Sequence, residues 1–286
     1  MARTVTEIYN AALAQKEATP ELAALTSTSK TALWRLWLWL VAFVTATHEA
    51  LWDEYAKDIE AKGRAAIAGT VAWYHSRVME FQDGDTLTLI DNVYQYGVVD
   101  ETKRIVKFCS INEVEGSLYI KVAAADGDGN PVIIDGASYS NLDNYLNFIK
   151  FAGTRHSLIS LAADKIFMDL KIYYSGVPYS EVSANVFAAI VSYLSTLSTK
   201  HFNGALKKAA LIAAIMDVDG VDDAYFSLLQ SKQGDNAAVG IDRETIAASG
   251  YWQLDGGNQI TSTVNNPDGS ITTSTDGNVS ITYIVS

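Results

Sequence analysis

An α+β fold is predicted by three features of the chain: helical spacing of apolar residues over the first eighty positions, a change to period two at Asp83, and alternation of helix and strand signals from about 136. Together they divide the 286 residues into four regions. Residues 1–82 are an N-terminal helical region and 83–135 a small antiparallel β meander. Residues 136–235 form a compact α+β domain of order αββααβ, and 236–286 a Thr/Ser-rich C-terminal β-hairpin extension.

In the first region "TVTEIYNAALAQ" is helical, and a tryptophan-rich helix follows, running on through "EYAKDIEAKG" to an expected break at Gly63. A third helix carries Ile67, Val71, Tyr74 and Val78 on one face. Within "ALWRLWLWLVAFVTATHEALW", the residues Trp34, Trp37, Val41, Val44, His48, Leu51 and Tyr55 make one stripe, and Leu36, Leu40 and Phe43 a second apolar side. The uncharged core, Leu36 to Thr47, is about a dozen residues between Arg35 and Glu49, whereas a bilayer span takes about twenty. No membrane insertion is therefore expected, and a helix apolar on two sides is expected to pack against neighbours in the chain or in an oligomer. Trp34, Trp37, Leu40 and Val41 are the candidate interface residues here.

From Asp83, "TLTLIDNVYQYGVVD", "RIVKFCSINEVEG" and "SLYIKVAAA" read as strands separated by Asp-Glu, Glu-Gly and Asp-Gly punctuation. In the α+β region "SNLDNYLNFIKFAG" is a helix with Leu142, Tyr145, Leu146 and Ile149 on its apolar face and Gly153 just past its end. Two strands follow, the second placing Ile166, Met168, Leu170, Ile172 and Tyr174 on one side. Then come the helices "SEVSANVFAAIVSYLSTL" and "GALKKAALIAAIMDV", and the strand "VDDAYFSLLQ". The final stretch, "NQITSTVNNPDGSITTSTDGNVSITYIVS", alternates around two Asp-Gly turns and predicts two hairpins. A neutral ribbon of this kind cannot bury much alone, so it should pair with a sheet edge of the same or a neighbouring chain. Tyr251 and Trp252, just before it, are candidate docking residues.

The chemistry is sparse. With 21 Lys plus Arg against 33 Asp plus Glu, the formal charge is −12, which repels phosphate backbones and excludes nucleic acid as an expected partner. Cys109 is the single cysteine, so an intramolecular disulfide is excluded, and His48, His75, His156 and His201 lack metal-ligand spacing. A polar, helix-prone start suggests no secretory signal. His156 and Ser157 lie side by side on a strand, pointing to opposite faces, and cannot form a base and nucleophile pair. "DGDGNPVIIDGA" supplies Asp126, Asp128 and Asn130 at calcium-loop positions, but Pro131 and Ala137 stand where glycine and glutamate are needed. "DVDGVDDA" fails likewise at Gly220 and Leu228. "NVS" at Asn278 is read as a chance acceptor sequence. There is no phosphate loop or dinucleotide fingerprint, so neither an enzyme nor a cofactor is expected.

The order of elements over about 105–230 resembles the baseplate J-like family, wedge proteins of tailed-phage and contractile-injection baseplates. The resemblance is carried by "YIKVAAADGDGNPVIIDGASYSNLDNYLNFIKFAGTRHSLISLAADKIFMDLKIYYSG", a helix pair and "LIAAIMDVDGVDDAYF". In the family a helix ends in an Ala-Gly-Thr-like turn, here Ala152, Gly153 and Thr154. A strand pair follows whose second member, here Ile166 to Tyr174, is rich in Ile, Leu and Tyr. A late helix then enters a turn like that of Val218, Gly220 and Val221. Gly153, Thr154, Gly220 and Val221 are thus the structural turn residues.

The resemblance implies a non-enzymatic virion component: a structural protein of a phage tail baseplate or tail hub, assembled in the host cytoplasm. Its implied partners are other copies of itself in a ring around the tail axis and neighbouring baseplate or tail proteins. The alternative is a receptor- or glycan-binding tail module that uses the C-terminal ribbon and its Tyr-Trp pair.

Overall fold

A computed structural model describes residues 2–65, 67–90, 93–255, 262–275 and 278–286. The fold is α+β. Its contacts gather into two compact units, Met1–Trp73 and Tyr74–Ser286.

The first unit holds helices α1 (Val5–Glu17) and α2 (Leu33–Ala65). A capping box starts α1: Thr4 Oγ1 accepts from the Glu7 N–H at 3.3 Å, and the Glu7 carboxylate accepts from the Thr4 N–H at 2.7 Å, satisfying two otherwise orphaned donors. One side of α2 is tied to the α1 segment. Arg35 Nε donates to the Tyr9 hydroxyl at 3.1 Å, Arg3 engages the Glu49 carboxylate, and the Lys16 ammonium lies 5.3 Å from the Trp34 ring centroid. Helix α2 continues through Gly63, where a break was expected. A single helical glycine costs only about 1 kcal/mol, too little to stop a helix of 33 residues.

The second unit opens inside helix α3 (Val71–Met79). The reason is polar anchoring: the Tyr74 hydroxyl accepts from the Phe151 N–H at 3.2 Å, and the Tyr145 hydroxyl donates to the Arg77 carbonyl at 2.9 Å. Strands β1 (Thr88–Ile90) and β2 (Val93–Gln95) pair antiparallel with each other as a two-stranded sheet. Strands β3 (Phe108–Val114), β4 (Ser117–Ala125) and β5 (Pro131–Val132) form the antiparallel meander. After helix α4 (Gly136–Ile149), strand β6 (Arg155–Ile159) joins the meander, parallel to β4.

The expected strand pair is therefore divided between two sheets, because β7 (Asp164–Tyr174) leaves β6 for the centre of a larger one. Helix α5 (Tyr179–Thr199) follows. The next predicted helix begins late, since Ala205–Lys207 is strand β8 and only Lys208–Met216 is helix α6. Strand β9 (Val221–Lys232) pairs antiparallel with β7 and with β10 (Val239–Gly240), while β11 (Glu244–Ile246) pairs with β8.

The other side of β7 is covered end to end by two parallel partners. Strand β12 (Trp252–Leu254) lies beside Asp164–Ile166, and β15 (Val279–Val285) beside Met168–Tyr174. Strands β13 (Ser262–Asn265) and β14 (Ile271–Thr275) complete the sheet through β15. The first expected hairpin is present; the second Asp-Gly turn, 276–277, lies outside the described residues. Of the two destinations open to the ribbon, the structure uses the same chain.

Strict alternation sets the core. Ile166, Met168, Leu170, Ile172 and Tyr174 share the buried side of β7, as the sequence predicts. They pack with Val182, Val186, Ile190 and Leu194 of α5, with Leu211 and Ile215 of α6, and with Val279, Ile281 and Tyr283 of β15.

Candidate interaction surface

The first unit carries the largest anomaly of the chain. Trp37 of α2 is 60% exposed, Val41 56% and Leu40 45%, and Trp39, Val44, Leu51, Trp52 and Tyr55 are similarly bare. Scattered exposed apolar residues are ordinary, but a contiguous run of them marks an interaction surface. Helical geometry explains the arrangement. Arg35, Ala42 and Glu49 recur every seven residues on the side that α1 covers, and Ala42 alone among them is fully buried. Trp37 and Val41 border α1 at the edge of a shared groove, whereas Val44 and Leu51 lie nearly half a turn from Ala42, on the opposite side of the helix.

Three of the four candidate interface residues on α2, Trp34, Trp37 and Val41, also line an apolar groove of about 530 Å³ with Leu22, Leu25 and Ala12. Trp34 is half-buried, and its indole Nε1–H has no hydrogen-bond partner among the described residues. Trp39 and Trp52, which the sequence pattern did not single out, are bare as well and widen the exposed apolar area.

The other two candidates require a correction. Tyr251 and Trp252 are buried, at 4% and 6% exposure, inside the second unit. The Trp252 N–H donates to Ser198 Oγ at 2.9 Å, and that hydroxyl donates back to the Trp252 carbonyl at 3.2 Å. The Tyr251 hydroxyl donates to the Leu161 carbonyl at 2.8 Å, and burial pushes its pKa up to about 12. Trp252 packs in the core with α5 and β7, and the Tyr251 ring stacks on Phe202 with centroids 6.3 Å apart, so neither ring is presented to a neighbour or a glycan. A neutral Tyr-Trp dipeptide looks the same in sequence whether it plugs a core or faces outward.

The turn residues have definite roles. Gly153 has φ +87°, which reverses the chain after α4, and the Thr154 N–H donates to the Phe151 carbonyl at 3.0 Å. Gly220 has φ +85°, and a Cβ there would lie 2.7 Å from a Val177 methyl, so backbone conformation and close approach both favour glycine. The Val221 N–H closes the turn on the Val218 carbonyl at 3.1 Å.

The residues that resemble chemistry are held structurally. His156 Nε2 lies 3.0 Å from Asp143 Oδ1, while Ser157 lies on the other side of the strand. Asp126 Oδ1 accepts the N–H groups of Asp128 and Asn130 at 3.0 and 2.8 Å. Those bonds, the Asn130 N–H foremost, hold its carboxyl below the usual range. A buried network the sequence did not reveal joins Asp164 to Ser249: Asp164 Oδ2 accepts the Ser249 N–H at 2.8 Å and its hydroxyl at 2.7 Å. It locks β12 onto the start of β7, and nothing in the local sequence links residues 85 positions apart.

Compared with known proteins, the chain matches no family model, and no curated protein matches its sequence.

Proposed function

We propose that this chain is a structural subunit of a phage tail baseplate or tail hub, assembling in repeated copies around the tail axis within the virion. The observation that supports this reading most is the exposed apolar surface of α2. Obligate assembly interfaces resemble a domain core cut in half, and α2 has that composition without a core to cover it. The resemblance to baseplate J-like proteins adds to it through the order of helix, Ala152-Gly153-Thr154 turn and strands, although the two strands lie in different sheets. On this reading the partners are further copies and neighbouring tail proteins, and the chain carries no catalytic activity.

The test is to purify the particles that carry the chain and image them by electron microscopy with the chain tagged at a surface loop such as Asp126–Gly129. Density for the tag in a ring at one end of the tail is the expected result. Label on the capsid, or a chain absent from the particles by mass spectrometry, would overturn the reading. The alternative of a glycan-binding ribbon loses its aromatic pair to the core.

A further inference from the structure

The stripe on α2 has a period that a globular core does not require. Trp34, Trp37, Val41, Val44, His48, Leu51 and Tyr55 are spaced alternately by three and four residues, a strict heptad sustained over three repeats. Apolar residues that keep a period of 3.5 impose a left-handed supercoil on a pair of helices. At its start the seam borders the groove that Trp34, Trp37 and Val41 share with Ala12 and Leu22, and beyond it the seam is bare: Val44, Leu51 and Tyr55 are each 56–59% exposed.

We propose that α2 pairs with α2 of a second copy of this chain as a parallel, in-register coiled coil along that seam. The inference deepens the assembly reading above and rests on it for its setting, though not for its geometry.

Three arguments choose this occupant. The first is area. An aromatic side chain buries 150–250 Å², so Trp37, Trp52 and Tyr55, each more than half bare, bring on the order of 300 Å² toward the ~800 Å² per partner of a specific interface. Leu40, Val41, Val44 and Leu51 supply most of the remainder. The second is register. His48 is the one polar residue among the central seam positions, and a single polar group at such a position meets its own copy only when the helices are in register. A shift by one heptad sets it against Val41 or Tyr55.

The third is direction. In a parallel pair the flanking positions set Leu33 beside Leu38 of the second copy, Leu40 beside Thr45, and Glu54 beside Ile59, with no like charges opposed. An antiparallel pair brings Leu40 beside Glu54 and faces the apolar first half of each helix with the charged second half, Asp53 to Lys62. Parallel pairing keeps the apolar halves together.

The 286-residue chain supplies its own test. Light scattering at micromolar concentration should give at least twice the 31.0 kDa of one chain. Val44→Asp, on an exposed position, should weaken association on the order of thirtyfold or more with the helical circular dichroism unchanged. Under mild oxidation Leu51→Cys should form a covalent dimer, because a parallel register sets residue 51 against itself. Trp39→Cys, which faces away from the seam, should not, and Cys109 in the wild-type chain serves as the background.

A wild-type chain that stays monomeric, an unlinked Leu51→Cys, or equal linking of Trp39→Cys would each overturn the pairing. So would a monomer that floats with phosphatidylcholine vesicles, which would assign the surface to lipid. The tail reading fails separately: a monomeric chain still present in purified tails overturns the pairing alone, and a paired chain absent from them overturns the tail assignment alone.

Discussion

Helices α2 and α5 are both strongly apolar, yet they end in opposite environments. Helix α5, whose 21 residues are long and apolar enough to cross a membrane by length and composition, lays Val182, Val186, Ile190 and Leu194 onto the sheet and is sealed there by Trp252 and Tyr283. Helix α2 lays only a narrow strip, centred on Ala42, against α1 and leaves Trp37, Trp39 and Trp52 in water. The difference is one of available partners: the second unit supplies a seven-stranded sheet, whereas the first supplies a single short helix. Apolar composition alone therefore does not decide whether a helix belongs to a core or to an interface; the area offered by the rest of its own unit does.

The comparison predicts effects of very different size. Deleting residues 262–286 removes β15, the parallel partner of β7 along Met168–Tyr174, together with the buried Val279, Ile281 and Tyr283. The second unit should lose its cooperative unfolding transition and become protease-sensitive, while the helical signal of α1 and α2 persists. A truncated chain whose second unit still melts cooperatively would show that the ribbon is an accessory. Next in size, Ile190→Ala in α5 should cost about 2–5 kcal/mol by opening a cavity in the core. Val44→Ala in α2, exposed in the isolated chain, should stay within about 0.5 kcal/mol when urea midpoints are compared under monomeric conditions. Similar losses at the two positions would mean that α2 is covered in solution.

Gly220→Ala should come third, at about 1–3 kcal/mol, since alanine there meets both an unfavourable positive φ and the Val177 methyl. Gly153→Ala shares the positive φ but has open space around its Cβ position and should cost less; a larger loss at Gly153 would reverse that order.

The fold was legible where local pattern and burial coincide. Alternation gave the buried side of β7 residue by residue, and helical spacing gave the bare stripe of α2. What stayed hidden depended on long-range partners. The parting of β6 from β7 follows from the pairing of β6 with β4, which no residue in "TRHSLIS" encodes. The three residues of β8 carry helical composition, and they are strand because Glu244–Ile246 reaches them. Burial of Tyr251 and Trp252 is not legible because the sequence shows their size and neutrality, not the α5 hydroxyl of Ser198 that anchors Trp252.

The response to pH separates the two units by direction. In the first unit the Arg3 guanidinium beside Glu49 holds that carboxyl at about 2. A lowered folded pKa contributes stability above the unfolded value of 4.5, and that contribution is lost as pH falls toward 2; the pair is exposed, so the loss should be slight. In the second unit burial raises the Cys109 thiol from 9.0 to about 12 and the Tyr251 phenol from 10.0 to about 12. Raised folded values reverse the sign: their contribution is complete below pH 9 and is lost progressively as pH climbs from 9 toward 12, because the unfolded chain ionises first. Urea unfolding of the second unit, followed by tyrosine absorbance, should therefore show a falling midpoint between pH 9 and 11. A flat midpoint across that interval would mean that water reaches Tyr251 and Cys109 in the folded chain.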